Sequence, residues 1–225
     1  MNGPELKLPQ ACIFDLDGVI VDTAVYHYEA WKRLANRLGF DFTHLQNEQL
    51  KGISRMDSLE LVLGWGNTAK TSLEKQHLAT LKNIWYVEMI DKMTPAEVLP
   101  GIIEFLKLIK SSGIKIALGS ASKNSKLILE RTQIAGYFDA IVDGNSVSRS
   151  KPDPQVFNLG AELLDTDADK CIVFEDAVAG IEAGHRAGMK VIGIGSPEIL
   201  TNADKVVANL KDFTLNDLAM MFNEK

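Results

Sequence analysis

Two carboxylates, Asp15 and Asp17, stand two residues apart where the apolar run Ala11-Cys12-Ile13-Phe14 gives way to Leu16 and Gly18. Side chains alternate along a strand, so both acids lean the same way from its C-terminal end, while Gly18 lets the backbone turn sharply. One carboxylate can then attack while the other moves protons. Phosphoryl transfer suits such a pair: a carboxylate can carry the group as an aspartyl phosphate, and the remaining demand is for positioned cations and hydroxyl groups. Those follow downstream. Ser120 ends a second apolar run beginning at Ile114, and Ala121-Ser122-Lys123-Asn124 opens a helix whose free N–H groups suit an anion. Lys151, in Ser150-Lys151-Pro152-Asp153-Pro154, is a fixed cation. Glu175 and Asp176 close a third run, Ile172 to Phe174, and are hard oxygen ligands of the kind Mg²⁺ takes alongside water and substrate phosphate. Asp15 and Asp17 join that metal set, Asp17 through its main chain, because its side chain is needed for protons.

The elements that must position these residues alternate. From Gly101 onward the pattern predicts a helix to Ser111, a strand at Lys115 to Gly119, a helix near Asn124 to Thr132 and a short strand at Ala140 to Val142. A helix at Pro154 to Leu164, a strand at Cys171 to Phe174, a helix at Ala177 to Ala187, and strands at Val191 to Ile194 and Val206 to Val207 follow. This is an α/β chain with a Rossmann-like parallel sheet and helices on both faces. Ligands of such sheets bind beyond the carboxyl ends of the strands, where Asp15, Ser120 and Glu175-Asp176 all fall. Between Thr23 and Thr94 the strand signals vanish, and helices are predicted at Val25 to Leu38, Arg55 to Leu63 and Leu73 to Met93. An all-helical insertion therefore leaves the sheet after its first strand and returns through Thr94-Pro95 and Leu99-Pro100-Gly101. The expected domains are an α/β core of 1–22 and 95–225 and a helical cap of 23–94.

At 225 residues and 46% hydrophobic content the chain can bury a sizeable core. Its net charge of −6 and lack of a basic run exclude nucleic acid and anionic membrane as partners of the whole surface, so positive charge at the site comes from individually placed lysines and arginines. Cys12 and Cys171 sit in apolar strand patterns and read as buried thiols, which suits a reducing cytoplasm. Neither a leader nor an 18-residue uncharged apolar stretch is found, so the expected location is cytoplasmic, with no membrane partner.

Other readings of the motifs fail on their spacing. A calcium loop needs a third oxygen ligand where Val19 stands. Ser120-Ala121-Ser122-Lys123 matches an S-x-x-K signature without its SDN and KTG companions. Gly193-Ile194-Gly195 lacks the third glycine of a dinucleotide fingerprint, with Glu198 in its place. His44, His77 and His185 read as structural or exposed.

DLDGVIVDT, GSASKN, SKP and FEDA, in this order and across nearly the whole chain, resemble the haloacid dehalogenase superfamily. DLDGVIVDTAVYHYEAWKRLA, the stretch Leu50 to Arg55, Lys82, and Ser120 to Asn124 are together similar to its sugar-phosphate mutases. The resemblance implies that Asp15 carries the phosphoryl group, Asp17 is the acid/base, and Ser120 and Lys151 hold the transferring oxygens. It implies a cap that closes over the site, with His27 contacting both substrate and Asp17. Lys51, Gly52, Ile53 and Arg55 would grip the distal phosphate and sugar, Lys82 would recognise substrate, Trp31 would wall the sugar site, and Ser120, Ala121, Ser122, Lys123 and Asn124 would complete it. The implied reaction interconverts β-D-glucose 1-phosphate and β-D-glucose 6-phosphate, with Mg²⁺ as cofactor, a sugar bisphosphate as primer and intermediate, a small sugar phosphate as the partner, and a monomer doing the work. The competing readings are a sugar-phosphate phosphatase on the same core and a phosphoaspartate receiver domain. The second needs no cap of about seventy residues, and its acidic pair precedes its nucleophile.

Overall fold

The computed structural model describes residues 7–223; the outermost residues of the expected core segments, 1–6 and 224–225, lie outside the described residues. Six parallel strands form one sheet: β1 (Ala11–Phe14), β2 (Lys115–Gly119), β3 (Ala140–Val142), β4 (Cys171–Glu175), β5 (Lys190–Ile194) and β6 (Lys205–Val207). Their order is β3-β2-β1-β4-β5-β6. Between β1 and β2 the chain forms α1 (Ala24–Arg37), α2 (His44–Glu48), α3 (Arg55–Trp65) and α4 (Ser72–Ile90), and α5 (Ile102–Ser111) returns it to the sheet. Crossovers through α6 (Ser125–Arg131), α7 (Gln155–Leu163) and α8 (Val178–Arg186) link the later strands, and α9 (Leu215–Asn223) follows the last.

Strand β1 reads as an unbroken apolar run because it is covered on both faces, and all four of its residues are fully buried. Cys12, Phe14, Leu118 and Phe174 turn to one face, against Phe105 and Ile109 of α5 and Leu218 of α9. Ile13, Ala117, Val173 and Val191 turn to the other, against Phe157 of α7 and Ile181 of α8. The Phe14 and Phe174 rings stack with centroids 4.4 Å apart, and Phe105 meets Phe14 edge-on at 6.2 Å, in the geometry that ring quadrupoles favour. Phe14 is level with Leu118 on one side and Phe174 on the other, which brings Asp15, Ser120 and Asp176 to one end of the sheet. That end lies where the chain order reverses about β1.

In the helical insertion α1 and α3 both pack on α4, with Trp31, Leu34, Leu59, Val62 and Tyr86 buried. Ser54 caps α3 by accepting from the Asp57 N–H, and Thr71 and Glu74 form a reciprocal capping box on α4. The two strands of chain that join the insertion to the sheet run side by side: Val21 and Val98 form an antiparallel bridge, and the Leu99 N–H donates to the Ile20 carbonyl at 2.9 Å.

The structure adds α2 and α9 to the elements the sequence predicts, and ends α4 at Ile90 where the pattern ran to Met93. Helix α2 has five residues, too few to show a 3.6-residue period, and is marked only by its Thr43–Gln46 capping box. Helix α9 is announced by Thr214 and Asp217, whose side chains each accept from the other's backbone N–H. Cys12 and Cys171 are both buried free thiols. Among the described residues no helix is long and apolar enough to cross a membrane.

Candidate functional site

Asp15 leaves the sheet immediately beyond β1, with its N–H donating to the Phe174 carbonyl at 2.9 Å. The next turn requires glycine twice over: Gly18 has φ +81°, and a Cβ there would lie 2.1 Å from Asp176 Oδ2. The loop before α7 brings Lys151 in from the other side of β2. Its Nζ is 2.6 Å from Asp15 Oδ1 and 2.5 Å from Glu175 Oε1, and all three side chains are almost wholly buried. Burial works against the Lys151 charge, but Asp15 and then Glu175 outweigh it and hold the ammonium above the ordinary lysine value. A permanent cation therefore sits on the carboxylate expected to attack.

Glu175 departs from its expected place among the metal ligands. Its Oε1 accepts from Lys151 and its Oε2 accepts from the Ala177 N–H at 2.7 Å, so both oxygens are engaged behind the lysine. It is also the one expected residue that does not line the cavity described below. Its neighbour Asp176 faces the cavity and meets Lys51 Nζ at 3.2 Å, and Lys51 also pairs with Glu48 at 2.9 Å.

Asp17 accepts a hydrogen bond from the Thr23 hydroxyl, a contact absent from the sequence reading. Burial, then the Asp15 charge, push its carboxyl up to about 6. Burial likewise raises Asp176 and Glu175. Four carboxylates thus meet two ammonium groups at one end of the sheet, an imbalance that fits a divalent cation, and the donors are all oxygen. Among the described residues no group of three or more acidic, histidine or cysteine side chains is arranged to hold a metal ion. A cation here fits two side chains, Asp15 and Asp176, with the Asp17 carbonyl, leaving its other positions to water and substrate.

Above this floor, between sheet and insertion, lies a cavity of about 940 Å³ lined by every other expected residue: Asp15, Asp17, His27, Trp31, Lys51, Gly52, Ile53, Arg55, Lys82, Ser120, Ala121, Ser122, Lys123, Asn124, Lys151 and Asp176. Ser120 Oγ accepts from the Ser122 N–H at 3.1 Å, and Asn124 donates to Asn83 Oδ1 at 2.9 Å, joining α4 to the loop that follows β2. Gly52 has φ +75° and passes close to Ala177, where an added Cβ would come within 3.0 Å of that residue's Cβ.

Lys82 is buried, with Nζ 4.7 Å from the centre of the Trp31 ring, 4.5 Å from that of Tyr86 and 3.0 Å from His27 Nδ1. Burial, with help from Arg55, lowers the proton affinity of both Lys82 and His27 well below the ordinary values. The hydrogen bond that the His27 ring makes is thus to Lys82, whereas Asp17 bonds Thr23. Trp31 is 2% exposed, so its ring serves the interior of the insertion as well as the cavity wall. Arg55 is half-buried and, among the described residues, has no carboxylate within ion-pair distance.

Sequence reasoning missed Thr23, Asn83 and Tyr86. The last follows Lys82 by four residues and so shares its helical face, a spacing that would have found it.

A family model described as haloacid dehalogenase-like hydrolase matches residues 12–194. The chain is 46% identical over 208 residues to the β-phosphoglucomutase of Bacillus subtilis, covering 92% of each protein. It is 32% identical over 187 residues to a phosphorylated carbohydrates phosphatase of Thermotoga maritima, covering 81% of this chain and 83% of that one. The crystal structure of β-phosphoglucomutase from Clostridium difficile superimposes with a TM-score of 0.93 at 42% identity, covering 96% of this chain and 98% of that one. With the fold, the strand-end acids and these matches in agreement, the chain belongs to the haloacid dehalogenase-like hydrolase family.

Proposed function

We propose that this enzyme is a β-phosphoglucomutase, interconverting β-D-glucose 1-phosphate and β-D-glucose 6-phosphate through a phosphoaspartyl enzyme and bound β-glucose 1,6-bisphosphate. The observation that carries the mutase reading over the phosphatase one is Arg55. A half-buried guanidinium with no acidic partner, facing a cavity whose floor already holds the reacting carboxylate and its lysine, is a second anion site. A phosphatase needs one phosphate site; a mutase working through a bisphosphate needs two.

Asp15 takes the phosphoryl group from the bisphosphate, and Lys151 and Ser120 offset and orient its oxygens. Asp17 removes the proton from the accepting sugar hydroxyl and returns one to the leaving sugar oxygen, and a carboxyl near 6 can do both close to neutral pH. Glu175 keeps Lys151 in place and charged. Mg²⁺, held by Asp15, the Asp17 carbonyl and Asp176, would neutralise charge on the transferring group. Arg55, Ser122, Lys123 and Asn124 hold the phosphate that is not reacting, and His27, Trp31, Lys51, Gly52, Ile53 and Lys82 surround the sugar. Residues 23–94 act as a cap on a core made of 1–22 and 95–225, and one chain supplies the whole site, so a monomer suffices.

The test is incubation with β-glucose 1-phosphate and a trace of the bisphosphate, following glucose 6-phosphate and free phosphate together, with and without chelator. Glucose 6-phosphate in large excess, lost on chelation and restored by Mg²⁺, is the expected result. Free phosphate as the main product would make the enzyme a phosphatase.

A further inference from the structure

Helix α8 carries two buried glycines within its span, Gly180 and Gly184. Glycine in a helix interior is less favourable than alanine, so each calls for a steric reason. For Gly184 the reason is core packing: a Cβ there would lie 2.5 Å from Val191 Cγ2. For Gly180 it is the site. A Cβ there would fall on the Glu175 carboxyl, within 2.5 Å of its carbon and of both its oxygens.

That carboxyl has no free space to move into. Glu175 is fully buried, its Oε1 lies 2.5 Å from Lys151 Nζ, and its Oε2 accepts from the Ala177 N–H at 2.7 Å. Ala177 is the N-cap of α8 and makes no side-chain cap, so the Glu175 carboxylate takes the N–H of the cap residue and places negative charge at the positive end of the helix. Lys151 Nζ in turn sits 2.6 Å from Asp15 Oδ1. The first turn of α8, the acid, the lysine and the nucleophile thus form one line of contacts. A methyl added at its far end must displace the rest, because an interior packed this closely transmits strain.

We propose that Gly180 is a positioning residue of the transfer reaction: the absence of a side chain there seats the Glu175 carboxyl and, through it, holds Lys151 on Asp15. The proposal rests on the parts given to Asp15 and Lys151 under the mutase reading.

The experiment is a double-mutant cycle between Gly180→Ala and Glu175→Asp, with Gly184→Ala as a control in the same helix. Each protein is assayed for kcat and KM on β-glucose 1-phosphate, for the initial rate at which labelled acetyl phosphate labels the enzyme, and for Tm. Gly180→Ala is expected to lower kcat and the labelling rate by roughly 10- to 100-fold, the cost of displacing a group at the reacting centre by about 1 Å, with KM nearly unchanged. Gly184→Ala is expected to lower Tm and leave both rates at their wild-type values. Glu175→Asp draws the carboxyl back by one methylene and vacates the space, so adding Gly180→Ala to it is expected to cost less than about 2-fold. Additive losses around the cycle, an unchanged rate in Gly180→Ala, or an equal rate loss in Gly184→Ala would overturn the proposal. Failure of Gly180→Ala to fold, unrelieved by Glu175→Asp, would overturn it too. Should wild-type take no label or release only phosphate, the reading of the reaction falls on its own, and the same cycle read on the hydrolysis rate still decides the role of Gly180.

Discussion

The Ser150 hydroxyl donates to Asp57 Oδ2 over 2.8 Å although 93 positions separate them in sequence, which ties the helix that begins at Arg55 to the loop that carries Lys151. Asp57 Oδ2 also accepts from Ser54, so a single carboxylate oxygen closes the first turn of α3 and reaches across to the sheet side of the cavity. The two cations that handle the two phosphates in the proposed reaction are thereby mechanically linked.

Removing that link should loosen the grip on sugar phosphate without touching the reacting groups. Ser150→Ala is expected to raise KM for β-glucose 1-phosphate by roughly 3-fold, the scale of one exposed hydrogen bond, with little change in Tm because both partners are solvent-facing. Hydrolysis of acetyl phosphate, which has no sugar to hold, should be unaltered. An equal fall in both activities would place Ser150 in the support of Lys151 instead.

Asp15→Asn keeps the shape of the group that meets Lys151 and leaves the lysine its partner Glu175. The fold should survive, with Tm close to wild-type, while turnover drops by more than about 10³-fold because an amide cannot carry the phosphoryl group. Acid-quenched enzyme treated with labelled acetyl phosphate should retain label in wild-type and lose it in this variant. Retained label would move the nucleophile elsewhere.

How much of this arrangement is legible in the sequence depends on what each residue answers to. Asp15, Ser120 and Asp176 can be read because a strand buried on both faces is an unbroken apolar run, and the first polar residue after it must lie at the sheet's edge. Glu175 reads as a ligand for the same reason. Its actual engagement with Lys151 depends on the path of a loop that brings in a residue from 24 positions earlier in the chain, while its other oxygen turns to the Ala177 N–H. The Thr23–Asp17 bond joins the last residue before α1 to the turn after β1 and has no signature in local spacing. The short helix α2 is invisible to periodicity, whereas the long, capped α4 is visible to within a few residues.

Acidity separates the two roles of Asp17. Its carboxyl is raised to about 6, so the form that can take a proton from a sugar hydroxyl is lost as pH falls through that value. The kcat/KM of the phosphorylated enzyme for β-glucose 1-phosphate should therefore fall below about pH 6. Asp17→Asn should remove this limb and cost about 10²- to 10⁴-fold in rate. Stability moves the other way. A carboxyl raised by folding favours the folded state at low pH, and that advantage is lost as pH rises through its folded value. Asp17→Asn should thus be the more stable protein near neutral pH, by on the order of 1 kcal/mol, with the difference vanishing towards about pH 4. Thermal melts of the two proteins across this range would show it, and parallel curves would mean that Asp17 titrates normally.

Arg55 provides the sharpest division between mutase and phosphatase, because it has no carboxylate to leave behind. Lys151, by contrast, is paired, and truncating it would strand Asp15 and Glu175 together. Arg55→Ala strands nothing, so Tm should change little. What it removes is a planar donor able to grip a phosphate with two parallel hydrogen bonds, which Lys cannot reproduce. Loss of such a charge-assisted contact is expected to lower mutase flux by roughly 10²-fold, with Arg55→Lys recovering only part of it. Hydrolysis of acetyl phosphate at Asp15 should persist at its wild-type rate, since that small molecule never reaches the distal phosphate site. Both activities falling together would show that Arg55 acts by shaping the cavity as a whole. Neither falling would leave the second phosphate without its anchor and favour the phosphatase.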